Sequence, residues 1–458
     1  MILNYIGESW VPAQEKKVFL KICPFKGDIL EEVSACEAMD FVRALQFAKK
    51  SLLLPKRPDF EERGQILRKI ADIITENEMA YSKREASHQA VPESFVLENS
   101  VRPAARAFIS AAEDTEFKLQ HPNHDSFLPT GIVVIAPHWG LSLRFLCEKL
   151  APAIGAGNAV IVKPCSDSPV TGQILGEILE RIRSEFPEAQ WASGTCQILQ
   201  GQKEDLLELM AGHPSVRAIA ASSSLLTGEL IQKAASPTWK KMQLHMGYNN
   251  SGLVLPDAKP EECIEQIYNS AFIGQGQISC NISRLFVLES QVVQWTDLLL
   301  EQSKKSKWQG PMMRKTDRPR LEDLLRQVRA DQGKIIAGGE ISDQGGLYLS
   351  PTMTQDLSHC SVLQQDTIAA PLLIISAVKY AHEMVKWVNT GYYGQIAQVW
   401  GSLEKTSAIA QKLEVGEVWV NGWVEKSRRI PYGVKQSFFG VADDRTFGTF
   451  FSDCKKIV

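Results

Sequence analysis

The sequence predicts an α/β protein with parallel, doubly wound sheets, and three observations predict it. Apolar runs at residues 131–136 (Gly-Ile-Val-Val-Ile-Ala) and 157–163 (Gly-Asn-Ala-Val-Ile-Val-Lys) have the composition of strands buried on both faces. After them, apolar residues recur at helical spacing, as at Ile174, Leu175, Ile178, Leu179 and Ile182. Length and composition agree: 458 residues, 44% hydrophobic and 22% charged, suit a globular chain of two or three domains.

The elements follow in order. The strand ending at Lys163 leads into a helix opened by Ser168-Pro169, because proline is favoured in a first helical turn. A short strand over 196–199, a helix over 203–211, a strand over 216–221, a helix from Thr227 and a strand over 242–246 complete a first region. A second α/β region begins near Gly252. It has a helix from Pro260, a strand over 285–288 and helices over 292–304 and 321–330. Further strands are expected over 334–337, 372–378, 396–400 and 417–421. The polar stretch 118–126 reads as a loop or short hairpin.

Charge excludes some partners. The formal net charge is −3, so no basic field draws the chain to nucleic acid or to a membrane surface. The apolar runs are too short to span a bilayer. Nine cysteines lack CxxC or Cys/His ligand spacing, and the opening residues lack a basic segment followed by an apolar one. A reducing cytoplasmic location and no metal site are therefore expected. The histidine pair His121 and His124 is a weak candidate ligand set.

Residues 272–284 read Phe-Ile-Gly-Gln-Gly-Gln-Ile-Ser-Cys-Asn-Ile-Ser-Arg. This resembles the nucleophile loop of the aldehyde dehydrogenase family, where Gly-Gln-x-Cys is followed five residues later by Arg. Gly276-Gln277 and Arg284 match. The similarity runs on through Ile6-Gly-Glu-Ser-Trp10, Ala151-Pro152, Gly157-Asn158 to Lys163-Pro164, His213-Pro-Ser-Val216, Ser350-Pro-Thr352, Tyr393-Gly394 and Val418-Trp-Val-Asn421, all in family order. The resemblance implies an aldehyde dehydrogenase-like fold in three parts. A Rossmann-type parallel-sheet cofactor domain would cover 1–114 and 130–246, and a second α/β catalytic domain 247–432. A small bridging or oligomerisation element would cover 115–129 and 433–458.

It also implies a site, and the chain departs from the family there. The nucleophile slot holds Ser279, with the thiol one place later at Cys280. The loop Pro137-His138-Trp139-Gly140 puts Gly140 where the family has its oxyanion-binding asparagine. The general-base glutamate is replaced by His245, which precedes Ser279 by 34 residues, the family interval. Cofactor contacts are implied at Trp139, Lys163, Ser166, Ser223, Ser224, Gly228 and Thr367. Ser166, Ser223 and Thr367 stand where relatives carry a ribose carboxylate, a phosphate-approach glycine and a second ribose carboxylate. NAD or NADP is thus expected to bind weakly, without strong preference for NAD over NADP.

Three readings follow. The chain is a catalytically impaired relative with a binding or scaffolding role. Alternatively, it oxidises aldehydes to carboxylic acids through Cys280. Or Ser279 and His245 form an esterase-like pair. A homodimer is expected, because the interval before residue 130 and the end at Val458 leave little room for the contacts that build tetramers in relatives.

Overall fold

The computed structural model describes the chain except residues 55–56, 121–125, 186, 188–194, 203, 307–309, 424–432, 441–449 and 456–458. His121 and His124 therefore lie outside the described residues. The chain forms two compact units. Met1–Ile22, Ile29–His245 and Phe439–Val458 make the first, and Cys23–Asp28 with Met246–Phe438 the second.

In the first unit, β1 (Asn4–Ile6) and β2 (Ser9–Val11) form one antiparallel hairpin, and β3 (Val18–Ile22) and β4 (Ile29–Ser34) another. β5 (Ser126–Pro129) stands outside the main sheet. The sheet centre is β6 (Ile132–Ala136), β7 (Ala159–Val162), β8 (Cys196–Ile198), β9 (Val216–Ser222) and β10 (Lys241–His245). These pair parallel in the order β8-β7-β6-β9-β10. Every residue of β6 and β7 is buried, as their unbroken apolar runs require. β1 joins β8 antiparallel, so the sheet is parallel only in its interior. The periodicity of single strands does not reveal that.

The chain leaves β6 toward β7 and β8, then crosses back to β9 and β10. The order reverses between β6 and β9, and open α/β sheets bind ligands at the carboxyl ends flanking such a reversal. The connecting helices run against the strands, so their carbonyl ends collect at the opposite edge of the sheet. Basic side chains satisfy that edge: Arg63 Nε donates to Gly155 O (2.8 Å), Lys240 Nζ to His213 O (2.8 Å), and Arg57 to Gly157 O.

In the second unit, the strands are β11 (Asn250–Val254), β12 (Ile282–Leu288), β13 (Lys334–Ala337), the hairpin β14 (Ile341–Asp343) and β15 (Leu347–Leu349), β16 (Thr352–Gln355), β17 (Leu372–Val378), β18 (Tyr393–Gly394), β19 (Ile396–Trp400), β20 (Glu417–Val420) and β21 (Val434–Lys435). The main sheet runs β13-β16-β17-β12-β11-β19-β20, with β13 antiparallel. Trp295, Phe272 and Trp400 fill one face beneath helices Pro260–Phe272 and Val292–Lys305. Phe286, Leu253 and Met384 fill the other.

Two closing strands belong with the first unit's sheets. β22 (Phe438–Gly440) lies next to β10, and β23 (Ser452–Lys455) pairs antiparallel with β5. The polar stretch 118–126 differs from its expected loop. Residues 118–120 finish the helix Arg102–Gln120, and Ser126 opens β5, whose partner lies more than three hundred residues away. A polar stretch marks a helix end as readily as a turn.

Candidate active site

In the first unit, topology brings the implied residues to one sheet edge. Trp139 and Gly140 follow β6, Lys163 and Ser166 follow β7, Ser223 and Ser224 follow β9, and His245 ends β10. β7, β6, β9 and β10 are consecutive neighbours, so these residues line the carboxyl edge at the order reversal. Trp139 is buried and its ring lies against that of His138, centroids 5.2 Å apart. Gly140 N–H donates to His138 Nδ1 at 3.1 Å. Lys163 is also buried, and its Nζ donates to Gly201 O at 2.8 Å. Ser166 is half-buried in the turn after Pro164.

Ser224 is the N-cap of helix Leu225–Ala235, its Oγ accepting from Thr227 N at 3.2 Å. The helix thus begins two residues before the expected Thr227, because a serine hydroxyl at this place replaces the missing intrahelical acceptor. Ser223 Oγ donates to Ser224 O at 3.1 Å, and Gly228 N donates to the same oxygen at 2.9 Å. His245 is buried; its carbonyl accepts Ser223 N–H at 2.9 Å.

In the second unit, the nucleophile loop precedes β12. Gly274, Gln275 and Gly276 adopt positive φ angles of 62°, 58° and 62°. At Gly276 a side chain is impossible, since a Cβ would lie 2.2 Å from Ala370 O. Gln277 Oε1 accepts Met313 N–H at 3.0 Å. Residues 277–280 form turns, not an extended segment. The two-residue alternation of a strand therefore does not set which way Ser279 and Cys280 face. Burial nonetheless separates them: Ser279 is half-buried and Cys280 is 7% exposed.

Thr367 is held inside its own unit. Its Oγ1 accepts Tyr248 N–H at 3.0 Å, and its N–H donates to Asp366 Oδ1 at 2.6 Å. Asp366 also accepts from Tyr393 Oη at 3.0 Å. The same oxygen of Thr367 would lie 3.0 Å from a Cβ on Gly247.

Sequence reasoning missed Tyr248 and Glu85. Tyr248 stands three residues after His245, next to Gly247. Its hydroxyl is buried, and burial, then the neighbouring Cys280, push the phenol well above the usual tyrosine range. Glu85 is fully buried behind the loop that follows β6, where it accepts from Leu143 N (2.9 Å), Gln89 Nε2 (2.7 Å) and Ser100 Oγ (3.0 Å). Burial raises its carboxyl, against the pull of those bonds. A lone glutamate in a helical pattern gives no sign of this in the sequence.

Comparison with known proteins agrees with this architecture. The family model described as "Aldehyde dehydrogenase family" matches residues 10–457. The chain is 26% identical to 2-aminomuconic semialdehyde dehydrogenase of Danio rerio, covering 99% of this chain and 97% of that protein. A NAD-dependent aldehyde dehydrogenase from Sinorhizobium meliloti superposes with a TM-score of 0.90 at 21% identity, over 99% of this chain and 93% of that one. A betaine aldehyde dehydrogenase point mutant from Staphylococcus aureus, solved with NAD+, gives 0.88 at 22% identity, over 99% and 96%. With nearly its whole length matched by the family model, the chain belongs to the aldehyde dehydrogenase family.

Proposed function

We propose that this chain is a catalytically impaired aldehyde dehydrogenase whose role is binding or scaffolding, with NAD or NADP as a weak ligand. The observation that carries the reading is the nucleophile loop: the half-buried side chain is Ser279, while Cys280 is 7% exposed. A serine hydroxyl needs an adjacent base to become a nucleophile. At the oxyanion slot, Gly140 has no side-chain donor. Losing the nucleophile and one donor together lowers rate by at least about 10⁴-fold.

Weak cofactor binding has its own support. Lys163 Nζ is directed to Gly201 O, and Thr367 Oγ1 accepts a backbone N–H in its own unit. Each is held in one orientation by that bond, and a ribose contact would have to match it. The family fold supplies the nicotinamide edge; when bound, the nicotinamide would accept hydride. A homodimer is supported by Leu226 and Leu230, 72% and 36% exposed one turn apart on one helix.

The test is an aldehyde panel with both nicotinamides, paired with calorimetric titration of NAD, NADP and their reduced forms. The expected result is no oxidation above background and weak nucleotide binding. Turnover abolished by Cys280→Ala would install Cys280 as nucleophile. Ester hydrolysis lost in both Ser279→Ala and His245→Ala would install a hydrolase.

A further inference from the structure

Lys240 is a buried cation without a counter-ion. It is 7% exposed, and its Nζ donates to His213 O at 2.8 Å. The charged groups that act on Lys240 and on the His213 imidazole are all basic: Arg217 on the first, Lys49 and Lys240 itself on the second. Among the described residues no carboxylate pairs with Lys49, Arg217 or Lys240. The adjoining Lys241 shows the contrast, since Asp453 Oδ1 meets its Nζ at 2.6 Å.

Topology gathers these groups. Lys240 immediately precedes β10, whose first residue, Lys241, pairs with Ala218 of β9, so Arg217 and Lys240 stand at neighbouring strand starts. The stem of Arg217 packs over Gly131, just before β6: an ideal Cβ there would lie 3.1 Å from its Cγ. His213 follows helix Glu204–Gly212, and its ring meets Phe41 edge-on, centroids 5.6 Å apart. Lys49 lies about two turns beyond Phe41 in helix Ala38–Leu52. This is the amino edge of the sheet, opposite the edge that carries Trp139, Lys163 and His245.

Electrostatics leaves the cluster positive. Burial, then Arg217, lower the Lys240 ammonium to about 8, so it is still mostly protonated at neutral pH. Burial, then Lys49 and Lys240, hold the His213 imidazole below its ordinary range. The carbonyl end of helix Glu204–Gly212 supplies about half a negative charge, which does not balance Lys49, Arg217 and Lys240 together. An ammonium has several N–H donors, and His213 O takes one of them. Arg217 and Lys49 are exposed, so the cluster opens to solvent.

We propose that Lys49, Arg217 and Lys240 form a binding site for a phosphate group at the amino edge of the first unit's sheet. A phosphate carries a charge of about −1.5 to −2 and several acceptor oxygens, which answers a cluster of cations with unused donors. Arg217 offers a planar pair of N–H groups to two of those oxygens, and Lys240 a point charge behind them. Free phosphate and a phosphomonoester share this chemistry, and the experiment separates them.

The test is calorimetry on the full chain at neutral pH and fixed ionic strength, with inorganic phosphate, glycerol 3-phosphate and chloride as probes. The phosphate probes should bind and chloride should not. Binding of inorganic phosphate alone identifies the free ion; tighter binding of glycerol 3-phosphate identifies a phosphorylated metabolite. Arg217→Gln and Lys49→Gln, both at exposed positions, should each weaken binding about tenfold, the value of one charge-assisted hydrogen bond, and Arg217→Glu should abolish it. Lys334→Gln, at an exposed position of the second unit, should leave Kd unchanged. Sulfate, dianionic throughout, should bind about tenfold less tightly at pH 9 than at pH 7, as Lys240 loses its proton. Lys240→Met, which keeps the apolar stem, should flatten that dependence. No binding of either phosphate probe overturns the proposal. Binding that survives Arg217→Glu, that NAD abolishes, or that falls equally in Lys334→Gln also overturns it.

Discussion

Asn250 holds Ser279 by its backbone: Asn250 Nδ2 donates to Ser279 O at 2.7 Å and to Asn281 O at 3.0 Å. Asn250 Oδ1 in turn accepts Ile396 N–H at 3.1 Å, tying the loop to β19. Asn281 adds three more bonds, to Ser270 O (2.9 Å), Ile273 O (3.1 Å) and Ile278 N (2.8 Å). Cys280 thus lies between two pinned peptides. Shifting it into the place of Ser279 would break this set together.

That arrangement predicts a thiol response. Asn250→Ala leaves one buried and one part-buried carbonyl and a buried N–H without their partner, at a cost of about 1–3 kcal/mol for each buried group. The Cys280 thiol should then react with a maleimide at least about tenfold faster, as local opening becomes cheaper. Unchanged labelling of Cys280, read by peptide mass spectrometry, would show that Asn250 does not restrain the loop.

Repair of catalysis should need several changes. Ser279→Cys alone should leave aldehyde oxidation near background, because the donor and the base are still absent. Adding Gly140→Asn and His245→Glu should raise the rate above any single change, since groups acting as a unit are not additive. A Cβ at Gly140 would lie 3.5 Å from His138 Nδ1, an ordinary van der Waals contact. Ordinary enzyme rates from Ser279→Cys alone would refute the reading of the other two positions.

Nucleotide binding should show little discrimination. NAD and NADP are expected to differ in Kd by less than about tenfold, or 1.4 kcal/mol, because no carboxylate stands at residue 166 or 367 to sense the ribose. Calorimetry decides it; a hundredfold preference for NAD would contradict the assignment of those two positions.

Arg284 should prove structural. It is 3% exposed and donates to Gln364 O (3.0 Å) and Asn249 O (2.8 Å), so one guanidinium bridges two segments. Burial lowers its pKa to about 10, still charged at neutral pH. Arg284→Met should destabilise the fold by about 3 kcal/mol, through two buried carbonyls left unsatisfied. Arg284→Lys should rescue it only in part, since a single ammonium cannot reproduce the planar fork. Denaturant unfolding would report the difference.

Acid sensitivity should trace in part to His88. It is 4% exposed, and burial, then Lys21 and Arg84, lower its pKa to about 3. The unfolded chain takes up this proton near pH 6.5 while the folded one resists it. Its stabilising contribution is therefore present above about pH 6.5 and is lost as pH falls from there toward 3. His88→Leu should flatten the fall of Tm between pH 7 and 5; an unchanged slope would assign the acid sensitivity to other groups.

Much of the architecture was legible because it repeats along the chain. Unbroken apolar runs became β6 and β7, and helical spacing became the helix Val170–Glu185. The order of short motifs identified the family. Each of those signals is local, carried by neighbouring residues or by their order.

What the tertiary structure decided depends on groups far apart in sequence. The antiparallel pairing of β1 with β8 and of β5 with β23 joins segments with no shared pattern. The carbonyls on either side of Cys280 are held by Asn250, some thirty residues earlier. The engagement of Lys163 by Gly201 O, and of Thr367 by the backbone of Tyr248, likewise needed the folded chain. Residue type set what each side chain could do; only the packing around it determined which partner it found.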